Sequence, residues 1–345
     1  MNKGKIFKYT AVALIVCVIL FLLQRLTMPK YTEGIVEGAF IAEYYREPAK
    51  DFDVIFVGDC EVYENFSPVE LWNEYGIHSY IRGSAQQLIW QSYYLLEDTL
   101  RYETPKAVVF NIQSLQYDTP QSEAYNRMTL DGMKWSPVKV KDIIASMTEE
   151  ENFIEYVFPI LRYHSRITEL TADDVKYMFK AKPASFNGYF MRVDTKPAEN
   201  VPEGRPLPSY DFGEHAWEYL DKMRELCAEN GIDLILIKAP SLHPYWYPEY
   251  DSQVREYADR YGLTYINFYD VAEDIGIDYS TDTYDAGLHM NLSGAKKLSH
   301  YFGGILAERG IPDRRDDEEL KKIYEDENRR YEAEILSQKE KYGIE

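Results

Sequence analysis

Short apolar runs alternate with amphipathic helical stretches along most of this chain, and no other feature restricts its fold as much. Asp53 to Val57 (Asp-Val-Ile-Phe-Val) reads as a strand apolar on both faces, and so does Lys106 to Ile112. Ser79 to Arg82, stopped by Gly83, is a further strand between them; Ile232 to Lys238 and Leu263 to Phe268 continue the series. Helical stretches fill the gaps. Ser67-Pro68-Val69-Glu70 combines an N-cap serine, a proline at the first helical position and a capping glutamate, and opens a helix running to Gly76. Ser84 to Gln87 opens another, with Leu88, Leu95, Leu96 and Leu100 as its apolar stripe. Glu214 to Asn230, Glu249 to Tyr261 and Leu292 to Arg309 read as three more. Strands and helices in this order predict an α/β fold, with a parallel sheet covered on both faces.

The alternation breaks over residues 113–212. That stretch holds helical segments, including Val140 to Ile160, and a Pro- and Gly-rich loop near 182–213, so it reads as a large, mostly helical insertion or lid. The tail, 313–345, is dense in charge with almost no apolar stripe, which predicts a solvated helix or disorder.

At the N-terminus Lys3, Lys5 and Lys8 precede an apolar run from Thr10 to Leu23. Tyr9 and Leu26 to Met28 extend it towards the ~20 residues that a bilayer requires. No small-x-small cleavage site follows, so residues 1–28 read as a cytoplasmic stub and an uncleaved transmembrane signal anchor rather than a removed signal peptide. The lysines place that end in the cytoplasm and the remainder outside. Either reading puts the rest of the chain at the cell membrane or beyond it. Residues 29–51 read as a polar connector, and 52–312 as the α/β domain.

The net charge of −20 argues against nucleic acid as a partner. The 31 tyrosines suit sugar-binding and interface surfaces as well as cores. Three cysteines are too few for a disulfide framework in an exported chain. Cys17 reads as membrane-facing and Cys227 as core, which leaves Cys60 as a free thiol. There is no internal repeat, zinc-type Cys/His cluster or phosphate-binding glycine loop.

Parallel sheets bind ligands at the carboxyl ends of their strands. Cys60 follows the first strand, Gly83 the second, and Asn111 lies near the end of the third; His289 follows the last strand through a loop. All four can reach one crevice. Cys60 offers a nucleophile on a strand-to-helix turn, and Asp285 to Asn291 offers an acid and a base in one loop, the parts of covalent acyl transfer. The Gly83 amide and the Asn111 side chain can serve as an oxyanion hole.

Phe56-Val57-Gly58-Asp59-Cys60 resembles the first block of the SGNH/GDSL hydrolases, Gly-Asp-Ser with serine as nucleophile. Asp285 to Ala295 resembles their last block, an Asp shortly before a catalytic His; Gly83 resembles the second-block glycine, and Asn111 loosely the third-block asparagine. The resemblance covers residues ~50 to 115 and ~214 to 310. It implies a flavodoxin-like three-layer sandwich and a catalytic set of Cys60, His289 and Asp285, with Gly83 and Asn111 as oxyanion donors and neither metal nor organic cofactor. The anchor and insertion look most like the cell-envelope branch, which serves teichoic acid D-alanylation and polysaccharide O-acetylation. The implied partners are an envelope glycopolymer and a membrane-bound O-acyltransferase. Two departures stand out. Cys replaces Ser, and the family's Asp lies three residues before His, where this chain has Ala286. Asp285 is four before, and Asp282 is its rival. The expected activity is acyl transfer or ester hydrolysis, with transfer preferred. The competing reading is a non-catalytic protein that keeps the fold and holds a glycan or an acyltransferase; a cysteine peptidase fits the chain order less well.

Overall fold

The computed structural model describes residues 3–28, 37–199, 201 and 203–344. The chain forms two compact units. One is Met1–Val36 with Glu149–Pro183, and the other is Glu37–Thr148 with Ala184–Glu345.

In the larger unit five strands make one parallel sheet: β1 (Val54–Gly58), β2 (Ser79–Gly83), β3 (Ala107–Asn111), β4 (Asp233–Lys238) and β5 (Thr264–Asn267). Their order is β2-β1-β3-β4-β5. β1, β2 and β3 are buried at every position, which is why β1 and most of β3 run apolar without alternating, whereas β2 buries Arg82 against Asp98 at 3.1 Å. Ile55, Val57, Val108, Phe110, Leu234 and Leu236 face one layer. They pack with Trp90 and Leu96 of the Ile89–Thr99 helix and with Leu220 and Met223 of the Glu214–Glu229 helix. Phe56 points the other way, its ring 5.5 Å from Phe66 and 6.0 Å from Phe302. Phe302 belongs to the Leu292–Glu308 helix, which covers that face beside Pro68–Tyr75. Each such buried side chain contributes about 1.5–3 kcal/mol. The result is a three-layer α/β sandwich with the flavodoxin-like strand order. The order reverses between β1 and β3, so a crevice opens there at the carboxyl ends.

Several boundaries differ from the sequence reading. The connector expected over 29–51 is not all connector. Residues 29–36 lie outside the described residues, but Glu37–Tyr44 is a helix whose Phe40, Ile41 and Tyr44 are fully buried. The helical stretch expected over 140–160 is three pieces, Pro137–Ser146, Phe153–Val157 and Ile160–Tyr163, interrupted at the acidic run 149–151 and at Pro159. The insertion expected over 113–212 is not one body: residues 149–183 belong to the smaller unit and the flanks to the larger.

The charged tail is neither disordered nor fully solvated. Glu318–Tyr342 is one helix with Leu320, Tyr324 and Tyr331 buried. Tyr324 stacks on Trp72 at 4.0 Å with the rings 2° from parallel, and its hydroxyl accepts from Asn187 Nδ2 at 3.1 Å. Further along, Gln338 accepts from the Val193 amide at 3.1 Å and donates to the Met191 carbonyl at 3.0 Å.

The N-terminal helix, Lys3–Thr27, is long and apolar enough to cross a membrane. Its 25 residues span about 37 Å at 1.5 Å each. Cys17 lies exposed on it, whereas Cys227 is buried in the core of the larger unit.

Candidate active site

Gly58 ends β1 at a φ of +148°. A Cβ there would stand 2.5 Å from Val62 and 3.1 Å from Asn111, so only glycine admits the sharp turn. Asp59 caps the short helix Cys60–Tyr63 that follows, its carboxylate accepting from the Glu61 amide at 3.2 Å. Cys60 is the first helical residue, whose amide has no partner within the helix. Gly83 pairs with Gly58 across the β1–β2 ladder, and a Cβ on it would lie 3.2 Å from the Gly58 carbonyl oxygen. Cys60 and Gly83 therefore lie at the carboxyl ends of the adjacent strands β1 and β2.

His289 comes from the loop before the Leu292–Glu308 helix. Ala286 and Gly287 take φ of +68° and +96°, and the pair turns the chain back within four residues. A Cβ on Gly287 would lie 2.7 Å from Leu242, so that turn also fixes a glycine. The reversal brings Asp285 onto His289. Asp285 Oδ1 accepts from the His289 amide at 2.8 Å, and Oδ2 lies 2.6 Å from His289 Nδ1. The four-residue spacing thus sets the Asp285 carboxylate against the His289 ring. Asp282 is committed elsewhere, with Oδ2 2.6 Å from Lys297 Nζ and accepting from the Asp278 amide at 2.8 Å.

With Nδ1 on Asp285, Nε2 is the ring atom left for Cys60. Nε2 is buried with no hydrogen bond of good geometry, although the thiol and imidazole lie close enough to shift each other's titration. Cys60 is partly exposed as a residue, yet burial of its thiol pushes the pKa up to about 12, against the pull of His289. Burial works against a charged His289. Glu64, the Cys60 sulfur and Asp285 outweigh it and hold the imidazolium well above the usual histidine range. Burial also works to raise Asp285, but the hydrogen bonds and charge of His289 hold it low. Burial therefore favours the protonated thiol, and the carboxylates around His289 favour its protonated ring.

Three residues that the sequence reading did not single out complete this clamp. Glu64 Oε2 lies 3.6 Å from His289 Nδ1 and accepts from the Tyr284 hydroxyl. The Tyr284 ring stacks beside His289 at 6.0 Å, with the Arg192 guanidinium 4.3 Å above it. Glu64 sits one helical turn after Cys60, which is the signal that was available.

The side chain of Asn111, expected as an oxyanion donor, is engaged within the protein. Its Nδ2 donates to Asp59 Oδ1 and Glu61 Oε2, both at 3.0 Å, and its Oδ1 accepts from the Ala239 amide at 3.2 Å. Both amide hydrogens are used. Lys238, at the end of β4, completes this buried network. Its Nζ lies 2.9 and 3.1 Å from the Glu61 oxygens and 2.9 Å from the Ala239 carbonyl. Burial, with Glu61 next to it, pushes Asp59 up to about 7. The turn that carries Cys60 thus rests on a buried polar platform from three strand ends.

A cavity of about 450 Å³ lies at the same end of the sheet, lined in part by Ser241, Leu242, Tyr245, Trp246 and Tyr269. Ser241 Oγ accepts from Asn65, and Asn65 Oδ1 accepts from the Met290 amide at 2.7 Å. The Leu242 amide donates to the Gly287 carbonyl at 2.7 Å, so the cavity wall is continuous with the His289 loop. Among the described residues no group of three or more His, Cys, Asp or Glu side chains is arranged to hold a metal ion.

No protein-family model matches this chain, and no curated protein does. Among solved structures it is similar to a GDSL-like lipase from Bacteroides thetaiotaomicron VPI-5482, at 13% identity and a TM-score of 0.35, over 78% of this chain and 99% of that one.

Proposed function

We propose that this chain is an extracytoplasmic, membrane-anchored acyl-ester enzyme of the SGNH type, acting on small acyl groups such as acetyl or D-alanyl on cell-envelope glycopolymers. The observation that carries the proposal is the Cys60–His289–Asp285 arrangement at the carboxyl end of the sheet, with Nδ1 clamped at 2.6 Å and Nε2 left for the thiol. With His289 neutral, Nε2 takes the thiol proton as Cys60 Sγ attacks the acyl carbon. The Cys60 and Gly83 amides receive the oxyanion. His289 returns the proton to the departing alkoxide and leaves a thioester on Cys60. It then deprotonates the acceptor hydroxyl or water that attacks the thioester, and the sulfur leaves and is reprotonated. The cavity beside Leu242 gives the acceptor a place to lie, and its aromatic lining suits a sugar face. Thioesters pass acyl groups readily to other nucleophiles, which favours transfer over hydrolysis. The lysines ahead of the apolar helix support an outward-facing domain, and a membrane-bound O-acyltransferase is the partner that would export the acyl group.

The rival is a non-catalytic protein of the same fold that holds a glycan or that acyltransferase. The high thiol pKa and the acidic surroundings of Cys60 favour it. The test is acyl turnover by the full chain in lipid vesicles, with an O-acetylated glycopolymer as donor. Cys60→Ala is expected to lose at least about a thousandfold, as nucleophile removals do. A loss of less than about tenfold removes the mechanism. Glycan binding that survives Cys60→Ala and His289→Ala, with no turnover in the parent, supports the rival.

A further inference from the structure

The smaller unit has a surface that the acyl chemistry does not use. The N-terminal helix runs exposed along its apolar length, but Thr27 at its end is fully buried. The chain that covers this end comes from residues 153–179. Arg166 Nη1 donates to the Thr27 and Met28 carbonyls at 2.8 and 2.7 Å, so it caps the helix C-terminus. Its other nitrogen donates to Asp174 at 3.1 Å, which anchors the Ala172–Phe179 helix. Arg25 returns a bond to the Met178 carbonyl at 3.1 Å. The 3₁₀ turn His164–Thr168 and the Ala172–Phe179 helix are thereby tied to the point where the apolar helix ends.

The exposed positions of residues 158–179 include large apolar side chains. Phe158 is 49% exposed, Leu161 51%, Ile167 54%, Val175 47% and Phe179 80%. A water-facing surface would not carry a run of this kind, and Phe179 has almost its whole ring outside the protein. Charge adds a second, independent observation. Although the chain as a whole carries −20, residues 158–183 hold five Lys or Arg against three Asp or Glu. Four of those cations, Arg162, Lys176, Lys180 and Lys182, are exposed among the apolar side chains. Exposed aromatic and aliphatic side chains interleaved with cations suit a bilayer interface with anionic lipid, where such helices lie about 5–10 Å into the headgroup–acyl boundary. A helix of the length and apolarity of Lys3–Thr27 would bring its own end to that depth.

We propose that residues 158–183 lie on the membrane surface around the emerging N-terminal helix, their apolar side chains in the headgroup–acyl boundary and their cations among anionic phospholipid headgroups. This break in the α/β alternation is then a membrane-seating device. The proposal stands or falls apart from the acyl chemistry, because it uses none of the site residues.

The experiment places an environment-sensitive fluorescent amino acid at Leu161, at Phe179 and, as a control, at Leu336, which is 68% exposed in the other unit. Each full-length chain is reconstituted into vesicles of phosphatidylcholine and phosphatidylglycerol, with or without lipid brominated in the acyl chain. All three positions are solvent-facing, so the replacements leave the fold intact. Quenching by brominated lipid is expected to be at least about threefold stronger at 161 and 179 than at 336, as burial at the headgroup–acyl boundary requires. It should weaken when phosphatidylglycerol is omitted. Equal quenching at all three positions overturns the proposal. So does blue-shifted emission at 161 and 179 without quenching, because a protein partner rather than lipid then covers the face.

Discussion

Lys238 and Glu61 have no solvent to fall back on: their side chains are 0% and 1% exposed, and the ammonium lies 2.9 and 3.1 Å from the two carboxylate oxygens. Lys238→Met keeps the chain length and removes the charge. It leaves Glu61 buried beside Asp59 with no cation, and breaking a buried pair in this way costs about 3–5 kcal/mol. For a domain of this size that is a fall in melting temperature of about 6–20 °C. Lys238→Met with Glu61→Gln removes both charges and keeps an acceptor for Asn111, so it should recover most of the loss. The assay is thermal unfolding of the full chain in detergent at pH 7.5, followed by near-ultraviolet fluorescence. The single variant should also slow acylation of Cys60, because Glu61 is the next residue and its displacement moves the nucleophile turn. A single variant within about 1 kcal/mol of the parent, or a double variant no better than the single, refutes the reasoning about the buried platform.

Four further outcomes follow. Asp285→Ala frees Nδ1 and should slow Cys60 acylation on the order of 10³–10⁴-fold with little change in melting temperature; a loss under tenfold would mean that Glu64 orients the ring alone. Acylation should rise with pH above neutrality, because His289 must lose the proton that Glu64 and Asp285 hold on it, and a rate flat from pH 6 to 9 contradicts that. The same shift adds stability that is full below the ordinary histidine value of 6.5 and is lost as pH rises through the higher folded value. Tyr324→Ala removes the stack on Trp72 and should cost about 3–5 kcal/mol by thermal melting; an unchanged melting temperature would show that the tail helix does not brace the domain.

Most strands were legible because burial on both faces leaves a continuous apolar run, and β1 to β5 all fall within a residue or two of where they were read, although β2 buries an arginine and β5 is only partly buried. The tail helix was not. Its buried stripe consists of Leu320, Tyr324 and Tyr331 with Glu327 between them, and tyrosines on a charged helix do not register as an apolar face. The helix over residues 37–44 is too short for its period to show. Cys60 and Gly83 were read from their places at strand ends, and Asp285 and His289 from the loop ahead of the last core helix, where the structure sets Asp285 against His289. Asn111 was visible too, but its role was not, because its partners Asp59 and Glu61 lie on another strand end and side-chain direction decides the pairing. The choice between Asp285 and Asp282 depended on two left-handed residues that a linear spacing does not reveal.

The most direct test mixes the full chain with an activated acetyl ester and locates the adduct by intact-mass and peptide mass spectrometry, with His289→Ala as the control that retains the thiol. The account predicts rapid acetylation confined to Cys60 and lost in the control. No adduct, or equally slow labelling with and without His289, would mean a bystander thiol and a protein that binds rather than catalyses.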